Sequence, residues 1–262
     1  RAAGGFTSSA WVLEFRDGVV VESEYFSVLT IDDVNNLSRG SAVPEALSVH
    51  MDAGATYIRD IGWSPHFPDV ARYAIDLTKW KIGHIDGVVA LNQWAYQSLT
   101  QGMGTVNVDD VEIGAGQVMN LLETSTDAEG TDGLIGLFDA LVDGIGGERM
   151  RARAVPFLMA VNGSLHRNEM LIYSVDSDTQ SRLENVGWSG SFFRPEQDVL
   201  YIIDSNVGWN KSDRNVDRSF EYTVDLRNPL VPSAILTLEY RNRSIIGSDE
   251  CEFQKHISSK NP

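Results

Sequence analysis

The sequence predicts a mixed α/β domain that gives way to an antiparallel β tail. Two patterns carry the first part. Apolar residues recur at helical spacing, as in Val70, Tyr73, Ala74, Leu77 and Trp80, and such stretches alternate with short apolar runs such as Asp86–Leu91 (DGVVAL). The third observation is strict two-residue alternation in Ser219–Leu226, where Phe220, Tyr222, Val224 and Leu226 face one way and Ser219, Glu221, Thr223 and Asp225 the other. Leu236, Leu238 and Tyr240 alternate likewise, the pattern of a half-solvated antiparallel sheet. Residues 1–195 therefore read as a core and 196–262 as a β extension packed on it.

In order, Arg1–Ser9 is small and flexible in composition. Ala10–Phe15 and Val19–Thr30 flank Arg16-Asp17-Gly18, and Asp-Gly between apolar runs predicts a hairpin. Ile31–Ser38 reads as a short helix closed by Gly40, whereas Ser41–Gly54 fits no single pattern. Ala55-Thr56-Tyr57-Ile58 suits a buried strand ending at Arg59-Asp60, and Gly62-Trp-Ser-Pro65 leads into the helix that carries the Val70–Trp80 stripe. Asn92 is placed to cap a helix running to Gln101, with Gly102 as its stop. Thr105–Val108 reads as a strand, Ala115–Glu123 as a helix and Ser125–Gly133 as a polar loop. Two helices follow, Leu134–Ile145 and Glu148–Leu165, the second interrupted or kinked at Pro156. Glu169–Ser174 is a strand; Asp178–Val186 is a helix capped by Asp176 or Ser177 and stopped by Gly187. Val199–Ile203 reads as a strand and Asn206–Asn215 as a loop.

The totals bound the function. A chain of 262 residues that is 42% hydrophobic can bury a sizeable core. A formal charge of −16 repels polyanions, which argues against a nucleic-acid partner and requires any phosphate site to be a local cluster of cations. Cys251 is the only cysteine, so neither an internal disulfide nor a zinc cluster is expected. No apolar run approaches the ~20 residues of a membrane span. The start at Arg1 and the polar end at Pro262 read as cuts through a longer polypeptide. There is no GxxxxGK[ST], HExxH or GxSxG, no GxGxxG between a strand and a helix, and no histidine pair at ligand spacing.

Three stretches remain as site candidates. A strand running through a loop into a helix N-terminus is where α/β proteins place ligands, because free backbone N–H groups point there. That puts Arg59 and Asp60 first. Glu148–Arg153 (ERMRAR) sets Arg149 and Arg153 four apart on one helix face with Arg151 off it; the group reads either as a solvated face or as a phosphate clamp of guanidinium forks. Asn206-Val-Gly-Trp-Asn210-Lys211 reads either as a turn whose polar side chains satisfy their own backbone or as a ligand loop.

Four features together resemble a bacterial family of membrane-anchored envelope proteins, a domain of unknown function. They are Arg1 with Gly4-Gly5-Phe6; Tyr57-Ile-Arg-Asp60 followed by Trp63-Ser-Pro65 and Phe67-Pro68; Ile85-Asp-Gly-Val-Val-Ala90; and Asp204-x-Asn-Val-Gly-x-Asn-Lys211 with Asp213. That family is in turn distantly similar to the LytR–CpsA–Psr phosphotransferases, which move a phosphoglycan from a polyprenyl-pyrophosphate carrier to cell-wall glycan. The resemblance implies a three-layer αβα core with a mixed central sheet, and an extracytoplasmic protein anchored by a segment outside this chain. It makes Arg59 and Asp60 the catalytic pair, with Asp60 also holding Mg²⁺. It makes Arg1 and one of Arg149, Arg151 and Arg153 phosphate-binding residues; the loop of Asn206, Asn210 and Lys211 has no counterpart in the transferases and stays a ligand-binding candidate on its own composition. It implies further that Cys251 pairs with a cysteine beyond residue 262. The sequence departs from the transferases where they carry a metal-holding acidic residue after the first arginine; here that stretch is Ala2-Ala3-Gly4-Gly5. Two functions are thus expected. One is a protein that binds or transfers a polyprenyl-pyrophosphate-linked glycan. The other is a non-catalytic surface or assembly module with a vestigial crevice, whose β tail pairs with other envelope proteins or with itself.

Overall fold

The computed structural model describes residues 7, 9–31, 43–51, 54, 56–124, 132–146, 148–192, 200–204, 215–228 and 230–244. Of the positions singled out above, Arg1, residues 32–38, the 125–131 part of the polar loop, Asn206, Asn210, Lys211 and Cys251 lie outside them. The fold is mixed α/β. The chain divides into two compact units, Arg1–Ser205 and Asn206–Pro262.

The first unit opens with strands β1 (Ser9–Arg16) and β2 (Val19–Ser27), paired antiparallel. Asp17 and Gly18 both take positive φ, 53° and 77°, the geometry that matches a two-residue turn to the twist of its strands. Short helices α1 (Val28–Ile31) and α2 (Glu45–Met51) come next, so the stretch of ambiguous pattern is partly helical. The strand expected at 55–58 is not formed over the described residues 56–58. Thr56 makes an isolated bridge, and Ile58–Trp63 forms a 3-10 helix. Its three-residue turn aligns Ile58 with Ile61, and both are buried.

Helix α3 (Phe67–Ile82) then leads to β3 (Gly87–Leu91). The buried side of α3 holds Phe67, Val70, Ala71 and Thr78, while Tyr73 and Trp80 are nearly half exposed; the stripe is rotated from the expected one. Helix α4 (Gln93–Met103) is capped by the Asn92 side chain, which accepts from the N–H groups of Trp94 and Ala95 at 2.9 and 3.1 Å. It ends at Gly104 (φ 92°) and not at Gly102, which is still helical. Strands β4 (Thr105–Val108) and β5 (Val111–Gly114) form a hairpin through Asp109 and Asp110, both at positive φ. Helices α5 (Ala115–Thr124), α6 (Asp132–Gly146) and α7 (Glu148–His166) follow. α7 runs through Pro156 uninterrupted, the carbonyl deprived of its donor belonging to exposed Ala152. Strand β6 (Met170–Ser174) pairs antiparallel with β3, and α8 (Ser177–Asn185) closes the run, capped by Asp176. Residues 200–204 join no ladder, so the strand expected at 199–203 is not formed over them.

The described strands make four separate antiparallel pairs, not one mixed central sheet. The β3–β6 pair organises the packing, because an apolar cluster packs on each of its faces. Val88, Ala90, Leu171 and Tyr173 turn towards Phe67, Val70 and Ala71 of α3 and towards Ile58, Ile61 and Phe26. Leu91, Met170 and Ile172 turn to the opposite face, towards Tyr96, Leu99 and Leu165 of α4 and α7. The second apolar cluster extends over β4, β5, α5 and α6 through Val106, Ile113, Val118 and Leu137.

The second unit contains β7 (Val216–Asp225) and β8 (Ser233–Asn242), a ten-residue antiparallel ribbon in unbroken register.

Candidate functional site

The turn that carries Arg59 and Asp60 is built from short-range bonds. Tyr57 is extended; the Asp60 N–H donates to its carbonyl at 3.0 Å, and the Asp60 carboxylate accepts the Tyr57 N–H at 3.4 Å. Arg59 Nε lies 3.6 Å from Asp60 Oδ2, and its guanidinium carbon sits 5.2 Å from the centre of the Tyr57 ring. The Arg59 carbonyl accepts from the Thr7 N–H at 3.0 Å. Both charged side chains are shielded, 15% and 22% exposed. Burial raises the Asp60 pKa above the ordinary carboxylate range, against the opposing pull of Arg59 and of the Tyr57 N–H. The pair therefore sits in a 3-10 turn packed on the core and not at the end of a strand.

The helix N-terminus beside it does not offer the expected free donors. The Phe67 N–H donates to the Gly190 carbonyl at 3.3 Å, Pro68 has no N–H, and the N–H groups of Asp69 and Val70 bond to the His66 carbonyl at 3.0 and 3.4 Å. Next to it the Phe192 N–H donates to His66 Nδ1 at 3.0 Å, which fixes that nitrogen as an acceptor. A carbonyl of the chain itself thus occupies the place an anion would take. Only glycine fits at residue 190. Its φ is 61°, and an added Cβ would stand 2.8 Å from Leu171 Cδ1 and 3.0 Å from Phe67 Cβ.

The arginines of α7 are placed elsewhere. Arg151 is exposed, and the Arg149 side chain lies outside the described residues. Arg153 donates from Nε to the Gly102 carbonyl at 3.2 Å and from Nη2 to the Gln101 carbonyl at 3.1 Å. A guanidinium there satisfies the Gly102 carbonyl, shares the Gln101 carbonyl with the Gly104 N–H, and complements the helix dipole at the C-terminus of α4. Met150 and Phe157 of α7 pack in the cluster on the other face of β3–β6 from the Ile58–Ile61 turn. Arg59 and Asp60 are brought together; of the α7 arginines whose side chains are described, Arg153 is held at the end of α4 and Arg151 is exposed. Among the described residues no group of three His, Cys, Asp or Glu side chains could hold a metal.

One charged cluster escapes sequence reasoning. Glu169, just before β6, receives Arg167 Nε at 2.7 Å, Arg167 Nη2 at 2.8 Å, the Ser164 hydroxyl at 3.1 Å and the Ser98 hydroxyl at 3.3 Å. The Arg167 hydrogen bonds, against the cost of burial, hold its carboxyl below the usual range. This network ties α4, α7 and β6 together. Ser98 and Glu169 are 71 residues apart, so no local pattern announces their meeting.

A family described as protein of unknown function (DUF4012) matches residues 1–126, which include the Arg59–Asp60 turn. The N-terminal part of the chain is thus similar to a domain of unknown function, consistent with the sequence resemblance, and the match carries no link to the LytR–CpsA–Psr enzymes. No curated protein and no solved structure matches the chain.

Proposed function

We propose that the chain is a non-catalytic interaction or assembly module of a bacterial cell-envelope protein, in which Arg59 and Asp60 hold the fold. The observation that carries this reading is the engagement of both residues within their own turn: Arg59 on Asp60 and the Tyr57 ring, Asp60 on the Tyr57 N–H. Phosphoryl transfer works by converging cations on the charge that develops at the phosphorus oxygens. Here Arg153 is engaged with the carbonyls at the end of α4, Arg151 is exposed, and the α3 N-terminus is closed by Gly190. The envelope setting rests on the sequence resemblance. The stacking of α3, the β3–β6 pair and α7 supports reading the first unit as a reduced αβα core of the LytR–CpsA–Psr kind.

A second reading keeps the site as a binder of a polyprenyl-pyrophosphate glycan with Mg²⁺. Its support is Asp60, a carboxyl pushed up by burial beside a guanidinium, the sort of perturbed pair that marks functional sites. Thermal unfolding with and without a short-chain polyprenyl pyrophosphate and Mg²⁺ separates the two. At roughly a hundred-fold excess over Kd a ligand adds about 2.7 kcal/mol, a rise in Tm of roughly 5–10 °C at this size. The assembly reading expects no shift, and a lower Tm for Arg59→Ala with or without ligand. A shift of that size in the wild type, lost in folded Arg59→Ala, would overturn it.

A further inference from the structure

The register of the β7–β8 ribbon sorts its side chains by face. Phe220 opposes Leu238, Tyr222 opposes Leu236 and Val224 opposes Ala234, all on one face, with Arg218 opposite Tyr240 towards the open end. Asp217, Ser219, Glu221, Thr223 and Asp225 occupy the other face with Arg241, Glu239, Thr237, Ile235 and Ser233. Every acidic residue of the ribbon is therefore on the second face, in a chain of net charge −16. The first face is apolar yet exposed: Phe220 69%, Tyr222 47%, Val224 46% and Leu238 44%. An isolated two-stranded ribbon is marginal in water and gains stability when such a face is covered.

We propose that this face is a homodimer interface, covered by the same face of a second copy of this chain. The inference names the partner for the assembly reading and rests on that reading. Two ribbons stacked about a two-fold axis make a four-stranded sandwich, the sheets ~10 Å apart. The absence of carboxylates from the apolar face lets two acidic chains meet there without opposing charges. In an antiparallel stack each Arg218, near the open end of its ribbon, lies towards the turn end of the other copy, so the two guanidiniums stay apart. The area fits a weak, reversible dimer. Aromatic side chains present ~150–250 Å² each, so Phe220 and Tyr222 at their exposures leave on the order of 200 Å². With Val224, Leu236 and Leu238 the face reaches roughly 400–500 Å² per copy, or 800–1,000 Å² in all, below the ~1,200 Å² of stable specific interfaces and within the range of weak, transient ones. A partner with charged contact residues would find no counter-charge on this face besides Arg218.

Analytical ultracentrifugation of the full chain across about 1–500 μM tests the proposal, a range suited to the weak affinity expected of so small an interface. Wild type is expected to show a reversible dimer. Phe220→Glu and Leu238→Glu, each of which would bury an unpaired charge, should raise the dimer dissociation constant at least about a hundred-fold. Thr237→Glu, on the other face, should leave it unchanged. Hydrogen exchange on the wild type provides a check that needs no variant: protection of β7 and β8 amides should rise with protein concentration. A wild type that stays monomeric overturns the proposal, as does protection independent of concentration, which means cover from the same chain. A dimer that persists in both folded Glu variants overturns this interface while leaving the assembly reading intact. A ligand shift at Arg59 does the reverse.

Discussion

Gly102→Ala tests the contact between α4 and α7 by the sign of its effect. In a helix interior alanine is favoured over glycine by roughly 0.5–1 kcal/mol. On propensity alone the variant should be more stable. In the structure, however, a Cβ at residue 102 would stand 2.9 Å from both Ala160 Cβ and Phe157 Cα, and 3.2 Å from the Pro156 carbonyl oxygen. Non-bonded carbons prefer about 3.5–4.0 Å. Two of these neighbours are backbone atoms and the third is a methyl without rotamers, so relief requires the helices to part. Overpacking of this kind costs about 1–3 kcal/mol, and it also stretches the Arg153 bonds to the Gln101 and Gly102 carbonyls. The net expectation is a loss of about 1–2 kcal/mol, or a Tm lower by roughly 2–8 °C. Gly116→Ala is the matched control. It lies in α5 with no atom within 4 Å of the added Cβ, so it should gain up to about 1 kcal/mol. Thermal melts followed by circular dichroism report both. If Gly102→Ala melts at or above the wild-type temperature, as Gly116→Ala should, the close approach of α4 and α7 is wrong.

Two further outcomes concern titration. Glu169 has a lowered folded pKa, so its contribution is present at neutral pH and is lost as pH falls through that value. Glu169→Gln should therefore cost about 1–2 kcal/mol near neutrality, and the deficit should close on acidification in melts compared pH by pH; a deficit constant down to pH 3 would count against the network. Asp60 has a raised folded pKa, so the folded state takes up its proton first and stability is gained as pH falls through that value. The Tm of Asp60→Asn relative to wild type should then be highest at neutral pH and shrink towards pH 4, and a gap that widens on acidification would mean that Arg59, not burial, dominates.

Local signals were legible where one residue type meets one geometric need. Asp17-Gly18 supplies two left-handed turn positions, Asn92 and Asp176 cap helices, and the alternation of 219–226 forms a strand. The failures come from tertiary choice. Ala55–Ile58 is too short for periodicity to separate strand from helix, although Ile58 and Ile61 at a spacing of three carry the 3-10 signal that the structure uses. Of the two glycines in Gly102-Met-Gly104, the second ends α4, because the first is needed where α7 crosses. The Asp109-Asp110 turn hid β5, since it takes left-handed geometry without glycine. Arg59 and Asp60 were legible as a pair, but their surroundings were not. Whether the α3 N-terminus beside them stays open depends on segment 188–192, which lies more than a hundred residues along the chain.

The scarcity of cations bears on association. The chain has 21 Lys and Arg against 37 Asp and Glu, and Arg153 and Arg167 are engaged with a helix end and a carboxylate of their own unit. Two copies at −16 each repel one another. Contact through an acid-free apolar face adds attraction without relieving that repulsion. Salt therefore has one sign of effect: screening shortens from ~30 Å at 0.01 M to ~8 Å at 0.15 M, so the ribbon dimer should tighten as salt is raised. An interface held by ion pairs, or by Arg151 and its neighbours on an acidic surface, would weaken over the same range. Sedimentation at three salt concentrations distinguishes them, and a dimer that dissociates with added salt would place the contact on charged residues outside the Phe220–Leu238 face.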